Sequence, residues 1–135
     1  MKVLFIGGTG NISTASSKLA VEKGIDLYHL NRGFTKFDIP KVKTILGDIN
    51  KPNGLSELKK HHWDVVVNWI AFTPQDVERD IELFKGKTKH YIFISSASCY
   101  QKPLSYPIIT ESTPLHNTLA VYSNNKIKCE ERLLK

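Results

Sequence analysis

Apolar residues come in short runs separated by polar, glycine-rich breaks, and two periods alternate along the chain. Val3-Leu4-Phe5-Ile6 is a compact apolar run ended by Gly7-Gly8-Thr9-Gly10, the pattern of a buried strand entering a turn. Ile12, Ala15, Leu19 and Ala20 then recur at helical spacing, and Gly24 ends that helix. Asp26 to Leu30 predicts a second strand, ending at Asn31-Arg32-Gly33, and residues 34–41 a connector closed by Pro40. Val42 to Leu46 predicts a third strand that runs into Gly47-Asp48-Ile49. Pro52-Asn53-Gly54 breaks the chain before a short helix from Leu55 to about His61. The run Asp64-Val65-Val66-Val67-Asn68-Trp69-Ile70 is nearly continuously apolar, as a strand buried on both faces of a parallel sheet would be. Thr73 as N-cap and Pro74 at the first helical position open the next helix, with Val77, Ile81 and Phe84 as its inward stripe. Tyr91 to Ile94 predicts a fifth strand, leading to Ser95-Ser96-Ala97-Ser98. A loop with Pro103, Pro107 and Pro114 follows, and a last helix runs from about Leu119 to the end.

Strand–helix alternation predicts an α/β fold: a three-layer, Rossmann-type doubly wound parallel sheet of about five strands, joined by right-handed crossovers in the order 3-2-1-4-5. Ligands of such sheets bind beyond the C-terminal strand ends. Those ends carry Gly7-Gly8, Asn31-Arg32, Asp48, Ile70-Ala71 and Ser95-Ser96.

At 135 residues, with 41% hydrophobic and 24% charged positions, the chain has the size and make-up of one globular domain. Its net charge of +6 admits nucleic acid or an anionic ligand as partner. The lysines are dispersed, however. The densest basic stretches, residues 59–62 and 85–90, fall where helices are expected to end, and cations there complement the helix dipole. That favours solvated helix ends over an RNA-binding patch. Cys99 and Cys129 show neither disulfide-framework nor metal-ligand spacing and read as reduced thiols, with no metal site. No apolar run reaches the roughly 18 residues of a membrane helix, and the start resembles no signal peptide, so a cytoplasmic location is expected.

The glycine cluster brings chemistry into this frame. Gly7 lets the chain turn sharply off the strand, and Gly10 lets a pyrophosphate lie against the backbone. The free N–H groups around Asn11 and Ile12 at the helix start would point at the phosphates, with the helix dipole behind them. Ser13 stands where the usual third glycine would be, small enough for close helix–strand packing. An ordinary strand-to-helix turn is the competing reading. Where a dinucleotide fold normally carries an acid for the ribose hydroxyls, this chain has Asn31, followed by Arg32, whose guanidinium suits a 2′-phosphate. NADP is thereby favoured over NAD, against the alternative of a surface arginine beside a turn. Asp48 could accept from an adenine amino group or cap a turn. Tyr122 and Lys126 lie one helical turn apart on one face. A tyrosine ordinarily ionises near pH 10, and an adjacent ammonium favours the phenolate a base requires. Ser96 could bond a substrate oxygen; Ser95 and Ser98 are rivals, and strand-terminating hydroxyls the bland alternative.

The chain resembles the extended short-chain dehydrogenases/reductases, the NAD-dependent epimerase/dehydratase family, over essentially its whole length. The resemblance rests on Gly7-Gly8-Thr9-Gly10-Asn11-Ile12, Gly47-Asp48-Ile49 and Ile94-Ser95-Ser96-Ala97-Ser98-Cys99-Tyr100. It continues through Thr110-Glu111-Ser112-Thr113-Pro114-Leu115 to Tyr122-x-x-x-Lys126-x-x-x-Glu130. It implies Tyr122 as general base or acid, Lys126 as the nicotinamide-ribose ligand that lowers the tyrosine pKa, and Ser96 as the substrate-positioning hydroxyl. It implies cofactor contacts at Gly7, Thr9, Gly10, Asn11 and Ile12 for the pyrophosphate. Asn31, Arg32, Asp48 and Ile49 would serve the adenosine end, Ile70 and Ala71 the wall beneath, and Tyr122 and Lys126 the nicotinamide end. The implied reaction is hydride transfer between NAD or NADP and a sugar or nucleotide-sugar carbon. Ser13 and Asn31-Arg32 depart from the family pattern, which leaves the choice of dinucleotide open. Members also continue past this helix with further strands and a substrate domain, whereas this sequence stops at Lys135. The expectation is an incomplete cofactor domain over residues 1–135 that binds dinucleotide poorly, with little or no turnover and a bare fifth-strand edge that favours homo-oligomers. A dinucleotide-sensing module and an RNA-binding module are the alternatives.

Overall fold

The computed structural model describes residues 1–34 and 38–135, so the connector expected over 34–41 lies partly outside the described residues. These residues form two compact units, Met1–Ile70 with Leu83–Ile94, and Ala71–Glu82 with Ser95–Lys135.

The first unit carries the sheet. Its strands β1 (Lys2–Ile6), β2 (Asp26–Asn31), β3 (Lys43–Leu46), β4 (Trp63–Asn68) and β5 (Thr88–Phe93) pair in the predicted order β3-β2-β1-β4-β5. Every pairing is parallel. β1 is central and almost fully buried because its side chains alternate into two separate cores. Leu4 and Ile6 join Leu30, Trp63, Val66 and Leu58 on one face, while Val3 and Phe5 join Leu27, Val67 and Ala20 on the other. The helices α1 (Asn11–Glu22) and α2 (Pro52–Lys59) supply Ala20 and Leu58 respectively, so the sheet has a helical layer on each side. Gly24, at φ +73°, closes α1 with its N–H on Val21 O at 3.0 Å.

Three expectations are corrected. Helix α2 begins at Pro52, not after it: Pro52 takes the first helical position behind an extended Lys51, where a missing N–H and a fixed φ cost nothing. Strand β5 begins at Thr88, so Lys89 and His90 of the second basic stretch lie on a strand rather than at a helix end. Lys89 pairs there with Asp64 at 2.6 Å. The third correction matters most. Of the stripe read on α1, only Ala20 is buried; Ile12 and Leu19 are exposed, and the inward residues are Ser13, Ser17 and Ala20.

The second unit holds α3 (Pro74–Phe84) as far as Glu82, a short 3-10 turn at Ala97–Cys99 and α4 (Val121–Leu133). Thr73 and Asp76 cap α3 reciprocally. Asp76 Oδ2 accepts from the N–H groups of Phe72 and Thr73 at 2.9 Å, and the Asp76 N–H donates to Thr73 Oγ1 at 3.3 Å. Arg132 of α4 holds Glu78 of α3 through both carboxylate oxygens, and the Ser95 hydroxyl donates to Glu130. Cys99 and Cys129 are buried and free. Among the described residues no helix is long and apolar enough to cross a membrane.

Candidate functional site

In the first unit the chain leaves β1 through three glycines that are glycine for different reasons. Gly7 sits at φ +84°, and a Cβ there would meet Ile70 Cγ2 at 2.6 Å. Gly8 lies flat on His29, where a Cβ would fall 2.4 Å from Nε2 and 2.5 Å from two ring carbons. Gly10 is the N-cap of α1 at an ordinary φ of −81°, and a Cβ there would touch only Ser13 Oγ at 3.4 Å. Packing thus demands the first two glycines, while the third leaves open space over the helix start. Thr9 is half-buried, and Asn11 and Ile12 are exposed at the first turn of α1, whose opening N–H groups have no carbonyl a turn before them.

Ser13 does more than save space. Its hydroxyl donates to Gly7 O at 3.0 Å and accepts the Gly10 N–H at 2.8 Å, stapling both ends of the turn. One helical turn on, buried Ser17 donates to Ser13 O at 2.7 Å and lies 2.8 Å from His29 Nε2. His29 is 2% exposed and stacks on Phe5, with ring centroids 5.9 Å apart. Burial lowers its pKa from 6.5 to about 4, so the ring is neutral at pH 7. The Ser17 hydroxyl also reaches Gly8 O at 3.3 Å, and the imidazole tautomer sets which partner donates in the Ser17–His29 bond. Neither Ser17 nor His29 figured among the site residues read from the sequence. The available signal was a histidine inside an otherwise apolar strand, two residues before Asn31.

The residues expected at the adenosine end occupy varied surroundings in the same unit. Asn31 is the last residue of β2, and its carbonyl accepts from the Gly47 N–H at 3.0 Å. Arg32 is exposed, its guanidinium 5.4 Å from the Phe34 ring centre. Asp48 Oδ1 accepts the Asn50 N–H at 3.0 Å, so it caps a turn. Ile49 is 3% exposed and belongs to the core. Ile70 packs on Gly7 and is partly exposed.

In the second unit Tyr122 and Lys126 lie one turn apart on α4, as read. Lys126 is 2% exposed; its ammonium donates to Ala71 O at 2.7 Å, 5.0 Å from the Phe72 ring centre and 5.9 Å from that of Tyr122. Burial holds its pKa below the usual lysine value. Tyr122 is half-exposed, its ring 6.2 Å from that of Phe72. Ser96, Ser98 and Ser123 form a hydroxyl chain with spacings of 2.8 and 2.9 Å, which links Ser96 to the residue next to Tyr122. Asn117 fixes the middle of that chain by donating to Ser98 O at 2.7 Å. Of the three serines weighed from the sequence, Ser95 has its hydroxyl committed to Glu130.

No family model matches the chain. A UDP-glucose 4-epimerase of Lactobacillus helveticus is 30% identical to it, over 97% of this chain and 46% of that protein. Among solved structures, the UDP-glucose 4-epimerase of Bifidobacterium longum in complex with NAD+ and UDP superposes with a TM-score of 0.82 at 22% identity, over 99% of this chain and 48% of that one. The UDP-Glc/GlcNAc 4-epimerase of Campylobacter jejuni gives a TM-score of 0.82 at 21% identity, over 98% of this chain and 48% of that one. The homologues and structural neighbours are thus NAD-dependent epimerase/dehydratase proteins of the short-chain dehydrogenase/reductase type, and the chain spans about half their length.

Proposed function

We propose that this chain is the dinucleotide-binding part of an NAD(P)-dependent epimerase, dehydratase or reductase that acts by hydride transfer on a sugar or nucleotide sugar. The observation that carries the reading is Gly10. It is a glycine the fold does not require, placed at the start of α1 where a side chain would fill the space a phosphate needs. The N–H groups of Asn11 and Ile12 and the backbone at Gly7 and Thr9 hold the pyrophosphate. Asn31, Arg32 and Asp48 serve the adenosine end, with Ile49, Ile70 and Ala71 forming the apolar surroundings of the cofactor.

When bound, the nicotinamide supplies the hydride acceptor and donor. Tyr122 takes a proton from, or returns it to, the sugar hydroxyl at the carbon being oxidised or reduced. Lys126, one helical turn from Tyr122, holds the nicotinamide ribose. Ser96 orients the substrate oxygen, its hydroxyl rotor set by Ser98 and Ser123. Arg32 gives NADP an advantage over NAD, because a 2′-phosphate accepts a charge-assisted fork that a ribose hydroxyl cannot match.

Calorimetric titration with NAD and NADP tests both levels. The chain should bind both, weakly. Gly10→Ala should weaken each about tenfold or more with melting unchanged, and Arg32→Ser should weaken NADP alone. Equal binding by the Gly10 variant would overturn the pyrophosphate assignment, and equal loss of both dinucleotides in the Arg32 variant would overturn the preference.

A further inference from the structure

Beneath the glycine turn lies a buried polar assembly that the proposed chemistry does not use. The imidazole of His29 is clamped between the Phe5 ring on one side and the backbone of Gly8 above it. Its Nε2 is hydrogen-bonded to the Ser17 hydroxyl, which also lies 2.7 Å from Ser13 O and 3.3 Å from Gly8 O, and the Ser13 hydroxyl donates to Gly7 O while accepting from the Gly10 N–H. Hydrogen bonds therefore link a side chain of β2 through Ser17 to Gly8 in the turn, and Ser13 on the same helix face ties both ends of that turn. A core needing only volume there would use an apolar residue, since a buried imidazole must be desolvated and matched with a partner.

We infer that His29, acting through Ser17, is a positioning residue that fixes the glycine turn in its phosphate-receiving conformation. The inference rests on the reading of that turn as the pyrophosphate site. A neutral ring suits this role, since it shares one hydrogen bond with Ser17 and brings no charge that would tie up an incoming diphosphate away from the turn. Gly8 seats the turn directly on the ring, so the height of the turn above the sheet is set by a rigid aromatic plane rather than by a flexible side chain. The arrangement serves a ligand that must meet several backbone N–H groups at once, for which a small displacement of the turn loses more than one contact.

The experiment compares ADP-ribose, which has the diphosphate, with adenosine, which lacks it. Binding to the unaltered chain, Ser17→Ala, His29→Leu and His29→Gln is followed by NMR well below each melting temperature. Ser17→Ala and His29→Leu should each weaken ADP-ribose about tenfold, roughly the worth of one neutral hydrogen bond, and leave adenosine unchanged. His29→Gln, which keeps an N–H donor, should recover most of the loss. Ser17→Ala carries the test alone if His29→Leu fails to fold. Unchanged ADP-ribose affinity in Ser17→Ala, or an equal loss for both ligands, would overturn the inference and leave the pyrophosphate reading in place. Failure of the unaltered chain to take up ADP-ribose would overturn the pyrophosphate reading, and this inference with it.

Discussion

Acidification from pH 7 to pH 5 should cost the sheet-bearing unit about 2 kcal/mol through a single side chain, His29. Burial lowers the pKa of this imidazole from 6.5 to about 4 in the folded chain. Between those two values the unfolded chain binds a proton that the folded chain refuses. Stability therefore rises with pH across the window and falls as the solution is acidified. The whole gap is worth ~3 kcal/mol, of which ~0.2 is already lost at pH 7 and ~2 at pH 5. The carboxylates act in the same direction but at lower pH. Lys60 beside Glu57, Lys89 beside Asp64 and Arg132 beside Glu78 hold those acids below their ordinary values. Asp76 is held low as well, where its bonds to Phe72 and Thr73 outweigh burial. Their contributions are present above the unfolded carboxylate range and disappear as pH falls through the folded pKa, below the window in which His29 acts.

Urea unfolding at pH 7, 6 and 5, followed by tryptophan fluorescence, isolates the effect, since Trp63 and Trp69 both belong to the unit that holds His29. Trp69 packs edge-on against Phe5 with centroids 5.3 Å apart, and Phe5 stacks on His29, so the reporter sits beside the titrating ring. His29→Leu removes the group, while the other histidines stay in both proteins and cancel in the comparison. The unaltered chain should lose ~2 kcal/mol from pH 7 to pH 5, and the variant a few tenths. Parallel pH profiles would refute the reasoning, as would an NMR titration in which the folded His29 ring protonates near 6.5.

Further outcomes follow from the same geometry. Gly7→Ala and Gly8→Ala should each destabilise by ~2 kcal/mol or more, the first through positive φ and Ile70, the second through the His29 ring. Gly10→Ala should leave the melting temperature within a degree or two, so equal losses at all three positions in thermal melts would contradict the division of roles. Asp76→Ala removes the acceptor for two N–H groups at the start of α3 and the partner of Arg79, and should cost ~1–2 kcal/mol in urea unfolding, with Asp76→Asn recovering part. Burial raises the Cys129 thiol to about 11 and Cys99 is buried too, so neither should react with a disulfide reagent at pH 8 until urea is added. Rapid labelling of the folded chain would show that the burial is wrong.

The sheet was legible because parallel strands announce themselves. Val3 to Ile6 and the valine run after Asp64 bury both faces, and unbroken β-branched runs have few other uses. Strand order followed from the Rossmann-type doubly wound pattern, with right-handed crossovers leading away on both sides of β1. The α1 face was not legible, because periodicity counts methyl groups. Against the turn, the space between helix and sheet admits only small side chains, and the local carbonyls need donors. Ser13 and Ser17 meet both needs while Ile12 and Leu19 turn outward. A pattern that scores serine as polar, and therefore exposed, inverts such a face. The hydroxyl chain from Ser96 to Ser123 was hidden for a different reason: it joins residues 27 positions apart that no local period relates. Tyr122 and Lys126 were readable, since one helix fixes their spacing, but the carbonyl of Ala71 under Lys126 was not.

The three glycines show what sequence and structure each contribute to locating a binding site. In the sequence they form one motif, and each is equally a turn residue or a ligand residue. The structure separates them by what a methyl group would strike. At Gly7 and Gly8 it strikes the protein, through Ile70 and His29, so the fold alone accounts for them. At Gly10 the backbone dihedral is ordinary and the nearest neighbour stands at van der Waals distance, so sterics do not demand glycine, and the fold uses it only as an N-cap residue. An alanine there would spare the unfolded chain some conformational freedom but replace a favoured N-cap residue, two opposed effects that leave stability little changed. The absent side chain at Gly10 leaves space over the helix start that the protein itself does not fill. At the head of α1, beside opening N–H groups, the occupant proposed above is the pyrophosphate.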